Sequence, residues 1–76
     1  MATVSHTFPQ STQVARIRYD DETEQLDIRF RSGKVWRYYG VSASTVAAFV
    51  AAPSKGSFFN KAIRPTHFGR PLVGGL

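Results

Sequence analysis

"LDIRFRSGKVWRYYG", residues 26–40, decides the fold. Its first half alternates. Leu26, Ile28 and Phe30 fall on one side, while Asp27, Arg29 and then Arg31 fall on the other. A period of two is the signature of a strand with one face buried. "RSGK" interrupts the run, and Gly33 supplies the permissive backbone of a tight turn. "VWRYYG" then resumes the alternation, with Trp36 and Tyr38 on one face and Val35, Arg37 and Tyr39 on the other. Two strands joined by so short a turn pair antiparallel. Upstream, "VARIRYD" repeats the pattern, setting Ala15, Ile17 and Tyr19 against Arg16 and Arg18; "DDETEQ" is the polar turn between.

After Gly40 the period changes. "VSASTVAAFVAAP" spaces Val46, Phe49 and Val50 as a helix does, with Ser42 placed as N-cap and Val41 and Val46 placed as a hydrophobic staple. Pro53 ends this helix, Ser54 caps a second running to about Ile63, and Pro65 ends that one. The fold expected is α+β: a three-stranded antiparallel β-meander followed by two short α-helices packed on one sheet face, β-β-β-α-α. Residues 1–12 read as a flexible N-terminal arm, residues 13–64 as the domain, and residues 65–76 as a loosely packed tail. A sheet of three strands leaves open edges and an uncovered face, so a homo-oligomer is plausible.

Composition narrows the function. The chain has 76 residues and no cysteine, which excludes disulfides and thiolate metal sites and leaves a single small core. No apolar run reaches the roughly 20 residues that span a bilayer, and the first residues lack the pattern of a secretion signal. We therefore expect a cytoplasmic protein with no membrane partner. The formal net charge is +5, and all five acids precede residue 28. Everything beyond is basic, an asymmetry that favours an anionic partner. Catalysis has little support: the acids cluster in one turn, His6 and His67 lack carboxylate neighbours in sequence, and no nucleophile elbow or phosphate-binding glycine loop is present. No cofactor, metal site or catalytic residue is expected.

Three stretches are candidates for binding. The polar sheet face carries Arg29 and Arg37, whose forks suit phosphate, with Tyr39 as a stacking plane; these arginines equally suit cross-strand pairing with Asp27. In "SKGSFFNKAIR", Ser54, Lys55 and Gly56 stand at a helix start, where free N–H groups favour anions. If that helix is regular, Gly56, Asn60 and Arg64 form one column, and Lys61 adds charge. The alternative there is packing and ordinary helix-end electrostatics. In "WRYY", Trp36 and Tyr38 read mainly as core, with the Tyr38 hydroxyl within reach of a ligand.

"LDIRFRSGKVWRYYGVS" followed by "APSKGSFFNKAIR" resembles the KTSC domain, a small module named for its occurrence at the C-terminus of some lysyl-tRNA synthetases and also found alone in bacterial and phage proteins. The likeness rests on Phe30, Ser32 and Gly33, on Trp36 and Tyr38, on Gly40 and Val41, and on Ser54, Gly56, Phe59, Asn60, Ile63 and Arg64. Trp36 stands where the family usually has tyrosine, and Ser42 where proline often follows the valine. The resemblance implies RNA binding only through the domain's company with a synthetase. The function expected is a non-catalytic binding module for phosphate-bearing ligands, RNA or single-stranded nucleic acid first. The alternatives are a small homo-oligomer that sequesters a nucleotide-type molecule, and a protein-interaction module.

Overall fold

In the computed structural model, which describes residues 3–73, the strands are β1 (Thr3–Thr7), β2 (Val14–Asp20), β3 (Gln25–Phe30), β4 (Val35–Tyr38) and β5 (Gly69–Leu72). They form one antiparallel sheet in the order β1-β2-β3-β4-β5. Between β4 and β5 run α1 (Ala43–Ala51), α2 (Lys55–Phe58) and a π-helical turn (Phe59–Ile63). No helix among the described residues is long and apolar enough to cross a membrane.

The α+β class and the central meander are as the alternation predicts. The strand count is not: the sheet has five strands rather than three. β1 was invisible because all five of its residues are exposed, so no apolar period marks it. It is held through backbone pairing, Thr3 opposite Asp20 through Thr7 opposite Arg16. β5 contains Pro71, which removes a ladder donor and is tolerated at a sheet edge. Both strands lie within segments read as arm and tail.

A second difference sits at the start of β2. Val14 pairs with Phe30 but Arg16 pairs with Arg29, so Ala15 is the extra residue of a β-bulge. The bulge turns Val14 onto the helix-covered face, where it is fully buried, although strict alternation assigned that face to Ala15. Beyond it the predicted phase holds. Ile17, Tyr19, Leu26, Ile28 and Tyr38 meet Val46, Phe49, Phe59 and Ile63 in the core. The Tyr19 hydroxyl donates to the Val41 carbonyl at 2.6 Å, which ties the sheet to the entry of α1.

The helix caps are those the sequence implies. The Ser42 hydroxyl accepts from the Thr45 N–H at 3.2 Å, and the Ser54 hydroxyl accepts from the Ser57 N–H at 3.3 Å. Val41 and Val46 are both buried. The second helix is less regular than the spacing suggests: α2 lasts one turn and then widens, with the Arg64 N–H bonding back five residues to the Phe59 carbonyl.

On the uncovered face, Arg18, Asp27, Arg37 and Arg70 lie directly opposite one another across β2 to β5. Asp27 is 3% exposed. It accepts two hydrogen bonds from Arg37, at 2.8 and 3.0 Å, and one from Arg18 at 3.3 Å. Removing one partner of a covered charge pair strands the other. Arg37→Ala leaves Asp27 with only the longer bond from the half-exposed Arg18. It should cost about 3 kcal/mol, read as a lower urea midpoint. Arg29→Ala, which removes an exposed arginine with no ion-pair partner among the described residues, should leave the midpoint nearly unchanged.

Candidate functional site

The structure separates the expected site residues into three places. Arg29, Arg37 and Tyr39 share the open sheet face. Arg37 is committed there: its pKa is raised, first by the hydrogen bonds to Asp27 and less by Tyr39. Tyr39 is half-buried and stacks on Phe68, with ring centroids 5.8 Å apart and planes at 28°. Phe68 is 72% exposed. Arg16, Arg18 and Arg70 complete this face, and the Arg16 Nε is buried without a partner. Arg70 and Phe68 escaped the sequence reading because β5 did. The signal was faint: Phe68, Arg70 and Leu72 repeat at every second residue.

The start of α2 is occupied by the chain itself. A groove of about 450 Å³ runs between residues 7–13 and Pro53 to Gly56. Ser54 is spent as the helix cap. Lys55 folds back, donating to the Ala52 carbonyl and lying 5.0 Å from the centre of the Phe8 ring. Gly56 is buried, and a Cβ built on it would fall 1.6 Å from the Gln13 side-chain oxygen. The expected column of Gly56, Asn60 and Arg64 is therefore not gathered. Gly56 shares the inward side with Phe59 and Ile63, while Asn60 and Lys61 are exposed. The buried stripe runs Gly56, Phe59, Ile63 at i, i+3 and i+7, which leaves Asn60 on the outer side.

Tyr38 and Arg64 come together elsewhere, on the helix-covered side. They line a cleft of about 380 Å³ with Phe30, Trp36, Phe59 and His67. Tyr38 meets Phe59 edge-on at 5.3 Å, Phe30 meets Phe59 at 5.2 Å, and Trp36 stacks by Tyr38 at 6.3 Å. Gly69 lies beneath the Tyr38 ring, where a Cβ would fall 2.3 Å from a ring carbon. Burial raises the Tyr38 pKa, and the Arg64 cation partly offsets this. The His67 Nδ1 lies 3.1 Å from the Ile63 carbonyl. The same nitrogen lies 2.9 Å from the Thr66 hydroxyl, so Nδ1 is engaged within the chain while Nε2 has no hydrogen bond among the described residues.

The KTSC domain family matches residues 10–68. An uncharacterized protein of Stutzerimonas stutzeri is 36% identical over 59 residues, covering 78% of this chain and 83% of that protein. A lysine–tRNA ligase of Nostoc punctiforme is 38% identical over 56 residues, covering 74% of this chain but only 10% of the ligase. The crystal structure of a KTSC domain protein from Yersinia pestis superposes with a TM-score of 0.86 at 29% identity, covering 95% of this chain and all of that one. The chain belongs to the KTSC domain family. That family is a small module, and the match points to no catalytic family.

Two outcomes test this geometry. Gly69→Ala drives a methyl into a buried ring, and overpacking of that kind costs about 2 kcal/mol. Gly56→Ala meets only the end of a flexible glutamine, so its loss should be visibly smaller in a parallel denaturant series. Ionisation of Tyr38 gives the second. Tyr19 and Tyr38 both hold their protons more tightly when folded, with burial the leading cause in each. Their contribution to stability is thus full below the ordinary tyrosine value of about 10 and is lost as pH climbs through the raised values. In Arg64→Ala the opposing pull of the cation is gone, so an alkaline absorbance titration should show the Tyr38 phenolate forming at higher pH than in wild type.

Proposed function

We propose that this KTSC domain is a non-catalytic module that binds RNA, or single-stranded nucleic acid more generally, on its open sheet face. One juxtaposition carries the reading. Arg16, Arg18, Arg29, Arg37 and Arg70 lie on a single sheet face that no helix covers, with the Tyr39–Phe68 stack at its end. Arginine forks suit phosphate oxygens, and an exposed aromatic offers any base a plane to stack on. Single-stranded RNA, whose bases are free to splay, is the polymer such a surface accommodates. The relatives add support, because proteins named as lysine–tRNA ligases carry a segment similar to this chain.

Within the face the roles divide. Arg37 holds Asp27 and shapes the surface. The contacts available to phosphate are Arg16, Arg29, Arg70 and the outer part of Arg18. Binding by this route releases counterions, so affinity falls with salt at a slope of about −0.7 per phosphate neutralised on a single strand.

Fluorescence anisotropy with a labelled mixed-sequence RNA oligomer tests the proposal. Wild type should show a log–log salt slope of about −2 to −3, as expected for three or four contacts. The double variant Arg29→Ala/Arg70→Ala should bind more weakly and lose about 1.4 from that slope. Phe68→Ala should weaken binding without changing the slope. Binding that ignores salt, or a double variant indistinguishable from wild type, removes this face from consideration.

A further inference from the structure

We infer that the cleft on the other side of β4 is a second, separate ligand site, built for a nucleoside monophosphate: a flat ring against the aromatic wall and a phosphate on Arg64. The inference does not rest on the open-face reading. Tyr38 ends β4 and lines the cleft, while Arg37 beside it pairs with Asp27 on the arginine face, so the cleft and that face are different surfaces.

The polar groups of the cleft suit an anion. Arg64 is exposed and makes no ion pair or side-chain hydrogen bond among the described residues. No acid lines the cleft. Tyr38 is 6% exposed, yet its hydroxyl has no hydrogen-bond partner among the described residues. The hydroxyl oxygen keeps solvent access and is available at the cleft as both donor and acceptor. The His67 Nε2 is the third group, without a hydrogen bond among the described residues while Nδ1 meets Thr66 and Ile63. A donor-rich guanidinium, a two-way hydroxyl and an imidazole nitrogen together suit a phosphate beside a base edge.

The apolar groups point to a ring. Trp36 and Phe30 are only half-buried, and each keeps surface facing the cleft. Phe59 and Tyr38 close its floor edge to face. Aromatic walls of this kind bind planar rings, and about 380 Å³ falls in the range of small-molecule pockets. The π turn contributes independently. Arg64 closes that turn, its N–H bonding to the Phe59 carbonyl, and π-helical turns recur at functional sites.

Trp36 is the only tryptophan of the chain, so its emission reports the cleft directly. The full chain is titrated with AMP, CMP, GMP and UMP, and in parallel with adenosine and with inorganic phosphate. At least one nucleotide should give a saturable, one-to-one change, with affinity about tenfold or more above either half-ligand. Arg64→Ala should weaken it about tenfold, the size of one charge-assisted hydrogen bond. Tyr38→Phe should weaken it about threefold through the lost hydroxyl. Both variants are checked for unchanged circular dichroism and melting. Arg29→Ala/Arg70→Ala, which tests the open face, should leave nucleotide affinity unchanged. The inference is overturned if no nucleotide saturates by millimolar concentration, if Arg64→Ala binds as wild type does, or if phosphate alone binds as tightly as the nucleotide.

Discussion

The buried Asp27 carboxylate is the constraint on which the rest of the sheet depends. It is the one acid in the middle of the described strands, it is nearly inaccessible, and arginines from both flanking strands meet it. A carboxylate in that position requires cationic neighbours at fixed heights on β2 and β4. It therefore specifies register twice. A slip of one residue at either seam would send Asp27 or its partner arginine into the apolar core. The same requirement makes the open face basic: two guanidiniums serve one carboxylate, and Arg16, Arg29 and Arg70 add to the excess. The pairing that orders the sheet is thus also what sets the charge of its open face.

What was legible in the sequence tracks how much each element buries. β2, β3, β4 and α1 each put an apolar face into the core, so their periods are written in Leu26, Ile28, Trp36, Val46 and Phe49. Caps at Ser42 and Ser54 were legible because they are local chemistry. β1 and β5 bury little and are held by backbone pairing, which leaves no mark on residue type. The bulge at Ala15 was hidden for a related reason: Val14 and Ala15 are both small and apolar, and only the pairing with Phe30 and Arg29 distinguishes them. The π turn was the hardest to foresee. "FFNKAI" reads equally well at three-and-a-half or four-and-a-half residues per turn, and the choice between them decides where Arg64 goes. Arg64 and the Tyr38 hydroxyl were both legible as candidates, whereas Gly56 is buried and Asn60 and Arg64 are exposed, a division the regular spacing does not reveal.

β4 is short, yet its alternate residues serve two surfaces. Arg37 and Tyr39 build the open face; Trp36 and Tyr38 build the wall of the cleft. This follows from the pleat, and it explains the density of large side chains in "VWRYY". A strand that served only as scaffold would need bulk on one side. Here Tyr38 belongs to the core while Trp36 beside it remains half-buried, and on the other side Arg37 and then Tyr39 sit at a basic surface.

β5 joins the two. The helical segment leaves the sheet after β4 and returns to pair with the same strand, so the chain encloses the cleft and then supplies its far edge. Gly69 faces the cleft and gives the Tyr38 ring its room. Its neighbours Phe68 and Arg70 extend the aromatic and cationic parts of the open face. One four-residue edge strand, paired at a proline-containing edge, thereby completes both surfaces at once. Edge strands with few buried contacts open at low free-energy cost. Opening of β5 would therefore remove the Gly69 edge of the cleft and the Phe68 and Arg70 end of the open face together.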